Sequence, residues 1–295
     1  MLIVSLPGGS QLASALAHEL GARTSSLEAH RFPDGEQLVR FTEDVAGQDV
    51  LLAGCLHPPD LKTLPAIFAA DTARELGATR VGLATPYLPY MRQDARFKPG
   101  EAVTSRSYAR MLSASLDYLV TVDPHLHRWH SLSDIYTIRT EVVAAAPAIA
   151  QWLRANVDDP LVVGPDDESR QWAAEVARLA DAPCTVLRKE RRGDRDVSVT
   201  LSDPSVAPGR TPVLLDDILS TGRTIAAAAQ ALRGLGLPAP MCVAVHAVFA
   251  GDAMEAVLGA GVTRIVTCDT IEHPTNAITV APLLAAAVAR IAAAP

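Results

Sequence analysis

Residues 213–224, VLLDDILSTGRT, gather the groups needed to hold a phosphorylated sugar. Val213, Leu214 and Leu215 form an apolar run suited to a buried parallel strand. Asp216 and Asp217 stand at its carboxyl end. Ser220, Thr221, Gly222, Arg223 and Thr224 make a small-residue turn, and an alanine-rich helical stretch begins at Ile225. The backbone N–H groups of such a turn, at a helix start, bind a phosphate dianion. Gly222 permits close backbone approach. The hydroxyls of Ser220, Thr221 and Thr224 add donors. Carboxylates repel a phosphate, so Asp216 and Asp217 suit ribose hydroxyls or a magnesium ion instead. The plainer alternative is an ordinary strand–helix connection in which the two aspartates cap the helix.

Five other stretches carry chemistry-bearing residues. RFPDGEQLVRF, residues 31–41, is a tight turn followed by an alternating strand. Its turn is explained by Pro33, Asp34 and Gly35 alone. It would also let Phe32 stack on a purine, with Asp34 and Glu36 accepting from an exocyclic amine. Residues 86–106 form a loop too long for a simple connector and carry Arg92, Arg96, Lys98 and Arg106. Positive charge concentrated there suits a polyphosphate or a solvated surface. VDPHLHRWH holds Asp123, His125, His127 and His130 without any standard zinc spacing. Asp123 and His125 could orient the waters of a magnesium ion, whereas His127 and His130 read as structural. GPDDES places Asp166 at another strand end, with Asp167, Glu168 and Ser169 suited to cap the next helix. RKERRGDRD, residues 188–196, is either a surface charge run or a flexible loop that closes cations over a phosphate.

The elements that position these loops are legible. Short β-prone runs alternate with helical stretches: LIVSL, DVLLAG, RVGLATPY and YLVTVD, then PLVVGPD, CTVLRK, PVLLDD, MCVAVHAVF and RIVTCDT. Such alternation predicts parallel sheets covered by helices. It occurs twice, so the chain is read as two similar α/β domains, 1–146 and 147–295, with a final helix over 281–294 free to pack on either. In such sheets ligands bind at the carboxyl ends of strands, where all the loops above fall except the 31–41 turn.

Net charge is −7, so no global basic field recruits nucleic acid or an anionic membrane. No apolar stretch is long enough to span a bilayer. Cys55, Cys184, Cys242 and Cys268 are scattered without metal-ligand spacing and read as reduced thiols. The first residues lack a basic start and are broken by Pro7, Gly8 and Gly9, unlike a signal peptide. A cytoplasmic protein is expected.

Together these stretches resemble the ribose-phosphate pyrophosphokinase family over nearly the whole chain. FPDGE is similar to the family's F-x-D-G-E motif, and PYMRQDARFKPGEAVTSR to its P-Y-x-x-x-R-Q-D-R segment. Asp123 and His125 match D-x-H, Lys189 and Arg191 match K-x-R, and LLDDILSTGRT matches the sugar-phosphate loop. The resemblance implies two phosphoribosyltransferase-like domains and pyrophosphoryl transfer from MgATP to ribose 5-phosphate. It implies that Phe32, Asp34 and Glu36 hold adenine and that Arg92, Gln93 and Asp94 hold ATP. His125 and Asp166 would hold Mg2+, with Asp123 a further candidate. Lys189 and Arg191 would be catalytic. Asp216 and Asp217 would take the ribose hydroxyls, and residues Ser220, Thr221, Gly222, Arg223 and Thr224 the 5-phosphate. It also implies a homo-oligomer in which the Phe32–Glu36 turn reaches a neighbouring subunit. Pro124, the LHRWHSL segment, GPDDES and Arg223 depart from the common pattern and mark a divergent subclass. Two rivals are a phosphoribosyltransferase, which needs neither FPDGE nor a second domain, and a regulatory homologue, which would be free to lose Lys189 or Arg191.

Overall fold

The structure, a computed structural model, describes residues 1–191 and 197–293, and for residues 189–191 and 197–199 the backbone only. The chain divides into two compact units, residues 1–144 with 280–295, and residues 145–279.

Unit 1 carries a seven-stranded sheet in the order β3-β2-β1-β4-β5-β6-β7. The strands are β1 (Leu2–Ser5), β2 (Arg23–Arg31), β3 (Gln37–Phe41), β4 (Asp49–Ala53), β5 (Arg80–Ala84), β6 (Tyr118–Val122) and β7 (Arg139–Val143). Every neighbouring pair is parallel except the antiparallel hairpin β2–β3. Helices α1 (Ser10–Leu20), α2 (Pro59–Glu75) and α3 (Thr104–Ser115) make the crossovers. The central strands are apolar on both faces because helices cover both. Leu51, Leu52, Leu83, Leu119 and Val120 are fully buried.

Unit 2 repeats the plan. Its strands are β8 (Pro160–Gly164), β9 (Cys184–Arg191), β10 (Val197–Leu201), β11 (Thr211–Ile218), β12 (Met241–His246), β13 (Ile265–Cys268) and β14 (Asn276–Ile278). They are ordered β10-β9-β8-β11-β12-β13-β14, again with one antiparallel edge hairpin, β9–β10. Its helices are α4 (Ala146–Asn156), α5 (Arg170–Ala180), α6 (Arg223–Gly234) and α7 (Ala253–Gly259). The fold is thus two mainly parallel α/β units.

The last helix, α8 (Ala281–Ala293), belongs to unit 1, packing on α1, β6 and β7. Leu284, Ala287 and Val288 are buried. Arg290 donates from Nε and Nη2 to Glu141 Oε1 at 3.0 and 2.7 Å, and Arg80 Nη2 donates to the Ala292 carbonyl at 2.9 Å.

Candidate active site

In unit 2, β11 carries its apolar run between β8 and β12, with Leu214 paired to Val163 and Cys242. The strand ends at Asp216, Asp217 and Ile218. The Leu219 N–H then donates to the His246 carbonyl, and the Ser220 carbonyl accepts from Ala250 N–H, which fixes the entry to the turn. Gly222 sits at the N-cap of α6 with φ +69°. A Cβ there would lie 2.6 Å from Val257 Cγ2 and 2.9 Å from the Ala253 carbonyl oxygen, so no other residue fits without moving α7. No side chain caps α6. Its first N–H groups are available to an anion. Thr221, Arg223 and Thr224 are exposed around that opening. Arg223 Nη2 lies 3.7 Å from Asp252 Oδ1, a loose exposed pair.

The acidic side of the turn is built differently. The Asp216 carboxyl group is enclosed and held well above the usual carboxylate range, first by burial, then by the charge of Asp217, with Asp166 adding to it. Asp166 follows β8, the strand beside β11. Its Oδ1 accepts from the Ser169 N–H at 3.0 Å, and the Ser169 hydroxyl returns a bond to the Asp166 carbonyl at 2.7 Å. This closed turn fixes Asp166. It also corrects the expected cap: Ser169 occupies the N-cap position of α5, yet its hydroxyl serves the Asp166 turn and no side chain caps the helix. Asp167 is exposed and pairs with Arg170 and, at 3.6 Å, with Arg188. Asp216 thus sits beside two further carboxylates, an arrangement that fits a hard divalent cation, which takes oxygen ligands and relieves the repulsion.

Lys189 and Arg191 lie on β9, with Lys189 opposite Val199 and Arg191 opposite Val197 in the hairpin. Their side chains fall outside the described part of the chain, as do residues 192–196 entirely.

In unit 1, residues 32–36 turn the edge hairpin. Phe32 N–H donates to the Glu36 carbonyl at 2.8 Å, Gly35 N–H to the Phe32 carbonyl at 2.9 Å, and Glu36 N–H to Asp34 Oδ1 at 3.1 Å. Phe32 is left 41% exposed at the tip, its ring edge-on to His30 at 4.7 Å. An exposed aromatic beside two carboxylates suits a flat base with an amine. The loop after β5 folds around Glu101, whose Oε2 accepts from the N–H groups of Phe97 and Lys98 at 2.9 Å each. Arg92 is exposed, Gln93 is half-buried, and Asp94 is buried. The loop after β6 starts at Asp123, whose backbone has φ +33° and whose N–H donates to the Val143 carbonyl at 3.0 Å. The His125 and His127 rings lie 3.9 Å apart.

Residues 1–115 match the model of the N-terminal domain of ribose phosphate pyrophosphokinase, and residues 131–284 match a phosphoribosyl transferase domain. A ribose-phosphate pyrophosphokinase of Methanopyrus kandleri is 37% identical over 290 residues, covering 98% of each chain. The chain belongs to the ribose-phosphate pyrophosphokinase family. A second such pyrophosphokinase, from Methanothermobacter thermautotrophicus, is 33% identical across 96% of this chain and 98% of its own. The phosphoribosylpyrophosphate synthetase of Mycobacterium smegmatis has the same fold, with a TM-score of 0.84, 24% identity and 98% of both chains covered.

Sequence reasoning within the family pattern missed Arg128, which pairs with Asp94, and Trp129. The Trp129 ring carries the Arg106 guanidinium at 4.9 Å, and its Nε1 donates to Ser105 Oγ at 3.3 Å. The only signal was negative: LHRWHSL departs from the family's usual segment.

Proposed function

We propose that this chain is a ribose-phosphate diphosphokinase, transferring the pyrophosphoryl group of ATP to the C1 hydroxyl of ribose 5-phosphate to give PRPP and AMP. The bond that forms joins the C1 oxygen to the β-phosphorus. The bond that breaks joins that phosphorus to the oxygen retained by AMP, and the hydroxyl proton is released. The observation that carries the reading is the β11–α6 turn: an uncapped helix start with a glycine whose Cβ would press on α7, directly after a half-buried acidic pair. On this reading the N–H groups of the turn and the hydroxyls of Ser220, Thr221 and Thr224 hold the 5-phosphate. Asp216 and Asp217 hold the ribose hydroxyls and so orient C1.

Phe32, Asp34 and Glu36 take the adenine, and Arg92 and Gln93 the triphosphate. Lys189 and Arg191 neutralise charge on the transferring group, since phosphoryl chemistry is mostly positioning and electrostatics. Mg2+ would be held by Asp166 and His125, with Asp123 in reserve. When bound it would neutralise phosphate charge. We further propose a cytoplasmic homo-oligomer in which the Phe32–Glu36 turn serves a neighbouring subunit. All four cysteines are free thiols and no described helix is long and apolar enough to cross a membrane, in keeping with that setting.

Phosphorus NMR on the protein with MgATP and ribose 5-phosphate tests the reaction. AMP together with a diphosphate ester on the sugar is the expected result. Intact ATP, with and without inorganic phosphate, would overturn it.

A further inference from the structure

The departing segment after β6 is docked onto the loop after β5. Arg128 Nη1 donates to Asp94 Oδ1 at 2.8 Å, across 34 positions of sequence. The Asp94 side chain is 1% exposed, whereas that of Arg128 is 55% exposed. The second carboxylate oxygen of Asp94, Oδ2, is buried with no hydrogen-bond partner. On its other side the Arg128 guanidinium lies 5.1 Å from the centroid of the Phe97 ring. A buried carboxylate with an unmet oxygen does not release its cation, because an unpaired charge in that place is costly. A guanidinium held at one edge and over one face keeps its remaining N–H donors pointing outward in a fixed plane. That is the form in which arginine grips phosphate by two parallel bonds. Asp94 itself is too enclosed to meet a ligand.

We infer that Arg128 binds the triphosphate of the nucleotide and that Asp94 acts only through it, as its positioning residue. The inference rests on the proposed reaction for its substrate. It makes the departure at 126–132 a substitute phosphate contact.

The test compares Arg128→Met, Arg128→Lys, Asp94→Asn and the Asp94→Asn/Arg128→Met double variant in steady-state kinetics. A lost charge-assisted contact should raise KM for ATP by about tenfold or more in Arg128→Met, with KM for ribose 5-phosphate changed less than about twofold. Arg128→Lys should recover part of the loss. Asp94→Asn should raise KM for ATP in the same direction, and the double variant should be no worse than Arg128→Met alone. An unchanged KM for ATP in Arg128→Met, or additive losses in the double variant, would overturn the inference. So would a lowered melting temperature with ATP saturation intact, which marks a purely structural pair. Displacement of a fluorescent ATP analogue gives a readout independent of turnover. If the wild-type chain makes no PRPP, the reaction falls, while the affinity ratio of Arg128→Met to wild type still decides the nucleotide contact.

Discussion

Asp216 is held where its ionised form is disfavoured, and that has a measurable signature. Its carboxyl is pushed up by burial, then by Asp217 and Asp166. A folded-state value above the unfolded one means that folding is favoured while the group is protonated, below the ordinary carboxylate range. That contribution is lost as pH rises through the raised folded value. At neutral pH the ionised cluster therefore costs stability. Asp216→Asn, which keeps the shape and removes the charge, should raise the melting temperature at pH 7 by roughly 2–5 °C, the gain vanishing near pH 3. Thermal melts from pH 3 to 8 check this, and an equal gain at every pH would refute it. The same carboxylate was legible in the sequence as half of an acidic pair at a strand end. Its coupling to Asp166 was not, because that depends on β8 lying beside β11. For the same reason the pairing of Asp94 with Arg128 was hidden: two loops 34 positions apart meet only once β5 and β6 are neighbours.

At the scale of elements, apolar runs and helical spacing located β1, β4, β5, β6, β8, β9, β11, β12 and β13. Strands β2 and β7 were passed over because they are polar. RTSSLEAHR has only two buried positions and RTEVV only one, as befits strands at or near a sheet edge. The β11–α6 turn was read correctly as a glycine turn at a helix start. The helical stretch at Met254–Leu258, which is α7, was legible too; its close approach to Gly222 was not. Gly222→Ala forces both a left-handed backbone and a clash with Val257 and the Ala253 carbonyl. It should cost about 2–4 kcal/mol in chemical denaturation, from overpacking and the left-handed conformation together. Its KM for ribose 5-phosphate should rise by at least about tenfold. Near-normal saturation by that sugar would count against the phosphate role of the turn.

Seen whole, the molecule uses one plan twice, and the two edge hairpins occupy equivalent places in it. β2–β3 carries the aromatic turn, and β9–β10 carries Lys189 and Arg191. If the aromatic turn serves a neighbouring subunit, Phe32→Ala and Gly222→Ala subunits fail for different reasons and complement each other. Co-refolded in equal amounts, they should regain roughly a quarter of wild-type activity in a symmetric dimer, as half the dimers each hold one intact site. Activity no higher than that of either variant alone would place the turn in its own subunit.

The return of α8 to unit 1 also orders events during synthesis. Residues 145–279 form one uninterrupted stretch, so unit 2 is complete as soon as it clears the ribosome. Unit 1, begun first, waits about 140 residues for the helix that covers β6 and β7, roughly 7–28 s at common rates of translation. Until Arg290 reaches Glu141, the older half of the nascent chain holds an open apolar face, and the younger half finishes before it.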